Sequence, residues 1–362
     1  MDKQKLEELL HSIVRTGAST LHLVAGQAPC VRLQGNLMRS TEPPLTAQDL
    51  QELTRDFLFA DHRKELAEGH EVEVLYSSRS GIRFRTTVME QATGLSLAMR
   101  RVPSEVPTLA ELGMPDLVGG FTTFRCGLVL VAGFVGSGKT TTVAAMVEKL
   151  NQEPNHHIVT IEDPIERLYR PGASLLHQRE LGAHVSSYQE GIDDAVRSGA
   201  SVVVVGSIED AATLSAVLDA CEAGLLVLST CHGSNIVSGL TGLLARCAPA
   251  ERGRIRYRLA NALKVMLAQT LLQKSHGGGK VPLVEILINN SQVNEALRAE
   301  AFQALPGIMQ KCRGLGMQTV DLALKSLLSR NQITLDEALY HAVDRDWIGS
   351  RPTASAAVPK HS

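Results

Sequence analysis

The residues best suited to chemistry are contiguous. From Gly127 to Thr142 the chain reads Gly-Leu-Val-Leu-Val-Ala-Gly-Phe-Val-Gly-Ser-Gly-Lys-Thr-Thr-Thr. This is G-x-x-x-x-G-K-[ST], preceded by a β-prone apolar run and followed by the helical pattern Val143–Leu150. Such a loop binds phosphates through its backbone. Gly133, Gly136 and Gly138 let N–H groups turn inward, and Val135, Ser137 and Thr141 complete the nucleotide-binding stretch. Lys139 would reach the β- and γ-phosphates, and the Thr140 hydroxyl would ligate Mg²⁺. The helix that begins here adds its positive dipole end. The pattern therefore predicts binding of a nucleoside triphosphate. It does not by itself say whether that nucleotide is hydrolysed.

Hydrolysis calls for acids at a neighbouring strand's tip, to support the metal and orient the attacking water. Three later strands end in polar residues. His156–Glu166 delivers Glu162 and Asp163 where parallel sheets bind ligands; the alternative is a plain turn that favours Asp-Pro. Ala200–Asp210 contains the strand Val202–Val205, yet its tip carries Ser207 rather than an acid. Glu209 lies about 6.6 Å further along an extended chain, too far to replace a carboxylate at 207 without rearrangement. Gly224–His232 brings Thr230 and His232 to its tip. An imidazole there either hydrogen-bonds the γ-phosphate or is satisfied by nearby loops.

These groups need a parallel sheet to position them. After Gly127 short apolar strands (Leu128–Ala132, Ile158–Ile161, Val202–Val205, Leu225–Ser229) alternate with helical segments, as in an α/β domain covered on both faces. From Glu251 the pattern turns helical. Gly277–Gly279 then forms a tight turn between strands Ala268–Gln273 and Val281–Ile288. Helices are expected over Ser291–Ala301, Ala304–Arg313, Thr319–Arg330 and Thr334–Val343. The first hundred residues read as a small α+β domain. It has a helix from Lys3 to Val14, strands Thr20–Gly26 and Pro29–Gly35, and a helix starting at Thr46. Strands Glu71–Tyr76, Ile82–Glu90 and Leu95–Arg101 follow. The expected organisation is therefore residues 1–102, a linker over 103–116, an ATPase domain with C-terminal helices over 117–346, and a disordered tail over 347–362.

Composition narrows the function. Net charge is −2 and aromatic residues are 4%, so no basic or stacking surface favours nucleic acid. No apolar run approaches a membrane span, and the N-terminus Met1–Lys5 opens a charged helix without a signal-peptide core. The six cysteines, Cys30, Cys126, Cys221, Cys231, Cys247 and Cys312, form no C-x-x-C pair, which argues against a metal cluster or disulfide framework and for cytoplasmic thiols.

Taken together, these residues resemble the secretion-type ATPases of type II secretion and type IV pili, above all the PilT-type retraction branch. The likeness runs from about Leu6 to about Ala342. Ala18–Leu23 resembles the family's opening strand, Leu109–Met114 its interdomain segment, and His157–Glu166 its Asp box. Ser229–His232 resembles its His box and Gly316–Asp321 the C-terminal signature of the retraction branch. The resemblance implies a hexameric ring in which a PAS-like N-terminal domain and a RecA-like P-loop domain hold ATP and Mg²⁺. It assigns catalytic roles to Glu162 and His232, and makes Arg85 and Arg100, with Arg83, phosphate contacts. It also implies like subunits in the ring, an inner-membrane platform protein as partner, and a cytoplasmic position at the pilus base.

Departures from the family pattern cluster on hydrolysis. The family has glutamate where this chain has Ser207 and arginine where it has Glu209. It has arginine at Thr93, Gly-His at Gly224-Leu225, Thr-Thr at Gly233-Ser234 and aspartate at Thr20. The expectation is a ring protein that binds nucleotide and hydrolyses it weakly. The alternatives are a non-hydrolysing regulatory paralogue in an active motor ring and, less favoured, a nucleic-acid motor.

Overall fold

The structure, a computed structural model, describes residues 3–33, 36–55, 57–102 and 105–350. Met1 and Asp2, the end of the second expected strand at Gln34 and Gly35, linker residues Pro103 and Ser104, and tail residues 351–362 lie outside the described residues. The chain divides into two compact units, Met1–Glu105 and Val106–Ser362.

The N-terminal unit contains α1 (Lys3–Thr16), β1 (Thr20–Val24), β2 (Cys30–Leu33), β3 (Asn36–Arg39), α2 (Ala47–Thr54), α3 (Ala60–Ala67), β4 (Val72–Ser77), β5 (Arg83–Gln91) and β6 (Gly94–Val102). Its strands form one antiparallel sheet in the order β3-β2-β1-β6-β5-β4. One face alternates inward as Leu21, Leu23, Phe84, Val88, Leu97 and Met99, and Leu6, Leu10 and Ile13 of α1 pack in the same core. The start of α2 was legible. Thr46 accepts the Asp49 N–H at 3.1 Å, and Asp49 accepts the Thr46 N–H at 2.7 Å. Helix α3 was not anticipated, because Ala-Asp-His-Arg-Lys-Glu-Leu-Ala shows no apolar stripe.

The C-terminal unit begins with α4 (Leu117–Gly120) and β7 (Gly127–Ala132). It continues through α5 (Lys139–Asn151), β8 (His157–Glu162), β9 (Leu175–Glu180), α6 (Tyr188–Arg197), β10 (Val202–Val205), α7 (Ala211–Glu222), β11 (Leu226–Cys231), α8 (Ile236–Ala245) and α9 (Pro249–Ala262). Then come β12 (Leu263–Gln273), β13 (Lys280–Ile288), α10 (Ser291–Arg298), α11 (Leu305–Lys311), α12 (Val320–Ser329), α13 (Leu335–His341) and α14 (Arg345–Gly349). The sheet order is β13-β12-β7-β11-β10-β8-β9, with only β13 antiparallel to its neighbour. Every residue of β7, β10 and β11 is buried, as apolar strands covered on both faces must be. Because β7 to β11 run parallel, the loops that follow β7, β8, β10 and β11 emerge at one edge.

Three features correct the sequence reading. Strand β9 was missed because Leu-Leu-His-Gln-Arg-Glu is largely polar, which the outer position of β9 in the sheet tolerates. Strand β12 starts at Leu263, not Ala268; residues expected to be helical instead pair with Leu128–Val131 of β7, so long-range pairing outweighs local pattern. The chain also stays ordered past residue 346. Asp344 caps α14 by accepting the Trp347 N–H at 2.9 Å, Ile348 joins a core with Leu272 and Leu324, and the Lys325 ammonium sits 3.5 Å above the Trp347 ring.

Leu228 on β11 is 0% exposed. Leu228→Ala should lower unfolding stability by about 2–5 kcal/mol through lost burial and a residual cavity, read as a lower urea midpoint for the C-terminal unit.

Candidate nucleotide site

The loop after β7 is shaped by close packing. A Cβ on Gly133 would lie 2.2 Å from Ser137 Oγ and 2.6 Å from the Gln269 carbonyl; one on Gly138 would lie 2.8 Å from Gln269 Nε2. Gly136 and Gly138 also have φ of 79° and 87°, a region that favours glycine. Gly138 is the residue before α5, so the helix N-terminus opens directly into the loop. Lys139 curls back and donates to the carbonyls of Gly133 at 2.8 Å and Phe134 at 3.0 Å. Burial lowers its pKa, and Cys231 and then Glu209 oppose that shift.

Gln269 of β12 holds the loop from below. Its Nε2 donates to the Ser137 carbonyl at 2.8 Å, and its Oε1 accepts the Thr142 hydroxyl at 2.7 Å. The Thr140 side chain is exposed in the first turn of α5, and the Thr141 hydroxyl accepts from Arg167 at 3.5 Å. Val135 and Phe134 point outward, at 88% and 62% exposure. Ser137 Oγ is buried without a hydrogen-bond partner among the described residues. An orphan hydroxyl, a glycine cradle and a curled lysine fit a phosphate chain, and the exposed Thr140 hydroxyl fits its metal.

The acids take distinct positions on the same edge. Glu162 ends β8, where Oε1 accepts the Thr160 hydroxyl at 2.7 Å and Gln178 Nε2 at 3.2 Å. Burial raises its pKa, and these two hydrogen bonds oppose the shift. Gly206 follows β10; its N–H donates to the Ile161 carbonyl at 2.9 Å and its carbonyl accepts the Thr230 hydroxyl at 2.7 Å. Ser207 comes next, half-buried, and Ile208 beyond it is fully buried. His232 Nε2, just past β11, lies 3.7 Å from Glu209 Oε1. The Tyr188 phenol is pushed up to about 12 by burial and by Asp163, Glu209, Glu162 and Asp210. The edge thus gathers the loop Gly133–Thr140, Glu162, Ser207 and His232.

Arg83, Arg85 and Arg100 belong to the N-terminal unit. Arg85 and Arg100 are register partners on β5 and β6, and Arg85 Nε sits 2.7 Å from Glu73 Oε1. Arg32, Thr20 and Arg100 continue the same cross-strand row. Sequence reasoning did not single out Gln269, Gln178 or Tyr188. The available signal was a glutamine inside the apolar run Leu-Lys-Val-Met-Leu-Ala-Gln-Thr-Leu-Leu-Gln.

A P-loop after the third strand from one edge of a largely parallel sheet, with acids and a histidine along the strand tips, defines an ATPase-type site of the RecA class. The chain belongs to the type II/IV secretion system protein family, whose model matches residues 3–319. It is 34% identical over 333 residues to the type IV pilus retraction ATPase PilT of Pseudomonas aeruginosa, covering 92% of this chain and 96% of the relative. It is 31% identical over 339 residues to the type IV pilus ATPase PilU of the same organism, covering 93% and 88%. The crystal structure of the pilus retraction motor PilT with bound ADP superimposes with a TM-score of 0.87 at 32% identity, covering 94% of this chain and 98% of that one. Among the described residues no helix is long and apolar enough to cross a membrane.

A carboxyl with a raised folded-state pKa costs stability once the unfolded chain ionises more readily than the folded one. That cost is absent below about pH 4.5 and grows as pH rises toward the folded value. Glu162→Gln keeps an acceptor for Thr160 and Gln178 but removes the charge. Its melting temperature relative to wild type should therefore rise from pH 4 to pH 8, measured by thermal scans at matched ionic strength. A difference that shrinks with rising pH would contradict the burial-driven shift.

Proposed function

We propose that the chain is an ATP-binding ring subunit of the type IV pilus retraction machinery, with slow hydrolysis. The observation that carries this is the phosphate loop Gly133–Thr140, pinned by Gln269, in a chain of this family. Lys139 swings from the Gly133 and Phe134 carbonyls to the β- and γ-phosphates. Thr140 would hold Mg²⁺, which when bound would offset charge on the phosphates. Val135, Gly136, Ser137, Gly138 and Thr141 line the phosphates, and family resemblance assigns further phosphate contacts to Arg85 and Arg100 of the PAS-like N-terminal unit. Water attacks the γ-phosphorus, the bond to the β-phosphate oxygen breaks, and Glu162 takes the proton to leave ADP and phosphate. A pKa raised by burial suits that base. His232 hydrogen-bonds the γ-phosphate end.

The ring joins PilT-like subunits, in one kind or mixed, and docks on an inner-membrane platform protein at the cytoplasmic pilus base. Ser207 favours a second reading, a regulatory subunit that binds nucleotide without useful turnover, because the tip of β10 carries no acid. Loss of such a charge-stabilising group costs roughly 10²–10³ in rate.

Purified protein should bind fluorescent ATP analogues, with affinity falling more than about tenfold in Lys139→Ala as the phosphate contact is lost. Turnover should be far below that of an active retraction motor assayed beside it, and Ser207→Glu should raise it at least about tenfold. Wild-type turnover equal to that motor would refute impaired hydrolysis; no turnover in wild type or Ser207→Glu, with binding intact, would favour the regulatory subunit.

A further inference from the structure

Four carboxylates of the loop-bearing edge help to push up the pKa of the Tyr188 phenol: Asp163, Glu209, Glu162 and Asp210. Three are committed or remote. Asp210 caps α7, accepting the Thr213 N–H at 2.7 Å and its hydroxyl at 3.1 Å. Glu162 is buried and bound by Thr160 and Gln178. Asp163 makes no ion pair with His232 among the described residues, whereas Glu209 does. Glu209 differs. It lies 3.7 Å from His232, just past β11; β11 is the strand beside β7, and its Cys231 carbonyl accepts the Gly133 N–H of the loop at 3.3 Å.

The backbone holds Glu209 in that place. The Ile208 N–H donates to the Thr230 carbonyl at 2.9 Å, and Ile208 itself is buried, so Ser207 and Glu209 flank it on the other side. The Glu209 carbonyl accepts the Arg246 guanidinium from the end of α8. The start of α8 is fixed in turn, because Glu285 of β13 accepts the Ile236 N–H at 3.0 Å. The side chain remains 61% exposed, free to meet a ligand at the loop.

We infer that Glu209, steadied by His232, acts from its own position rather than that of residue 207, and would support the nucleotide's magnesium through the metal's water shell. This rests on the reading of the loop as a Mg-ATP site. A carboxylate two residues further along supports the metal less directly than one at the tip of β10, which accounts for slow rather than absent turnover.

The test measures affinity for a fluorescent ATP analogue in Mg²⁺ and in EDTA, together with turnover, for wild type, Glu209→Gln and Ser207→Glu/Glu209→Gln. Glu209→Gln should keep its EDTA affinity within about threefold, lose most of the gain in affinity that Mg²⁺ gives wild type, and lose at least about tenfold in turnover. The double variant should regain both. Unchanged Mg²⁺ gain and turnover in Glu209→Gln would overturn the inference, as would losses that Ser207→Glu does not repair. Wild type that binds nucleotide equally with and without Mg²⁺ would overturn it and leave nucleotide binding standing. Wild type that binds no nucleotide would overturn both. Glu209 is exposed and outside the core, so a thermal melt matching wild type should accompany these results.

Discussion

The phosphate loop keeps its shape because one buried amide is satisfied in both directions. Gln269 donates to the Ser137 carbonyl and accepts from Thr142, joining β12 to the loop and to the first turn of α5. A buried side-chain amide without partners would cost a few kcal/mol, so these bonds do more than decorate the strand. They fix the distance between β12 and the loop. That distance is why Gly133 and Gly138 admit no Cβ: the missing atoms would fall on Ser137 and on Gln269 itself. The requirement for glycine at both positions follows from that constraint.

Around that loop, environment separates acids of similar chemistry. Glu162 is withdrawn into the protein, where desolvation favours its neutral form and a proton acceptor of raised pKa results. Glu209 is largely exposed and lies 3.7 Å from His232. Placing two carboxylates in different environments is a recurrent way of dividing proton transfer from charge stabilisation. Serine stands at position 207, half-buried at the same edge.

Much of the candidate site was legible because its parts are local. The loop, its lysine and the following helix occupy one continuous stretch, and Glu162 and His232 announce themselves by ending short apolar strands. The parallel sheet was legible for the same reason, since strands covered on both faces need unbroken apolar runs. Elements that draw stability from distant partners were not. Strand β9 is polar and pairs only with β8, the first residues of β12 read as helix until β7 lies beside them, and α14 owes its order to a core shared with β12 and α12.

The sequence by itself determined the chemistry on offer: a phosphate-binding loop, an acid at the end of β8, a histidine past β11, and no acid at the tip of β10. Only the tertiary structure decided what holds and completes that chemistry. Gln269 reaches a carbonyl 132 residues away in the chain, and Glu209 meets His232 because β10 and β11 are register partners. Local residue types set which hydrogen bonds and charges a segment can offer. Which of them meet depends on strand order and register, and these are set by burial of the whole sheet.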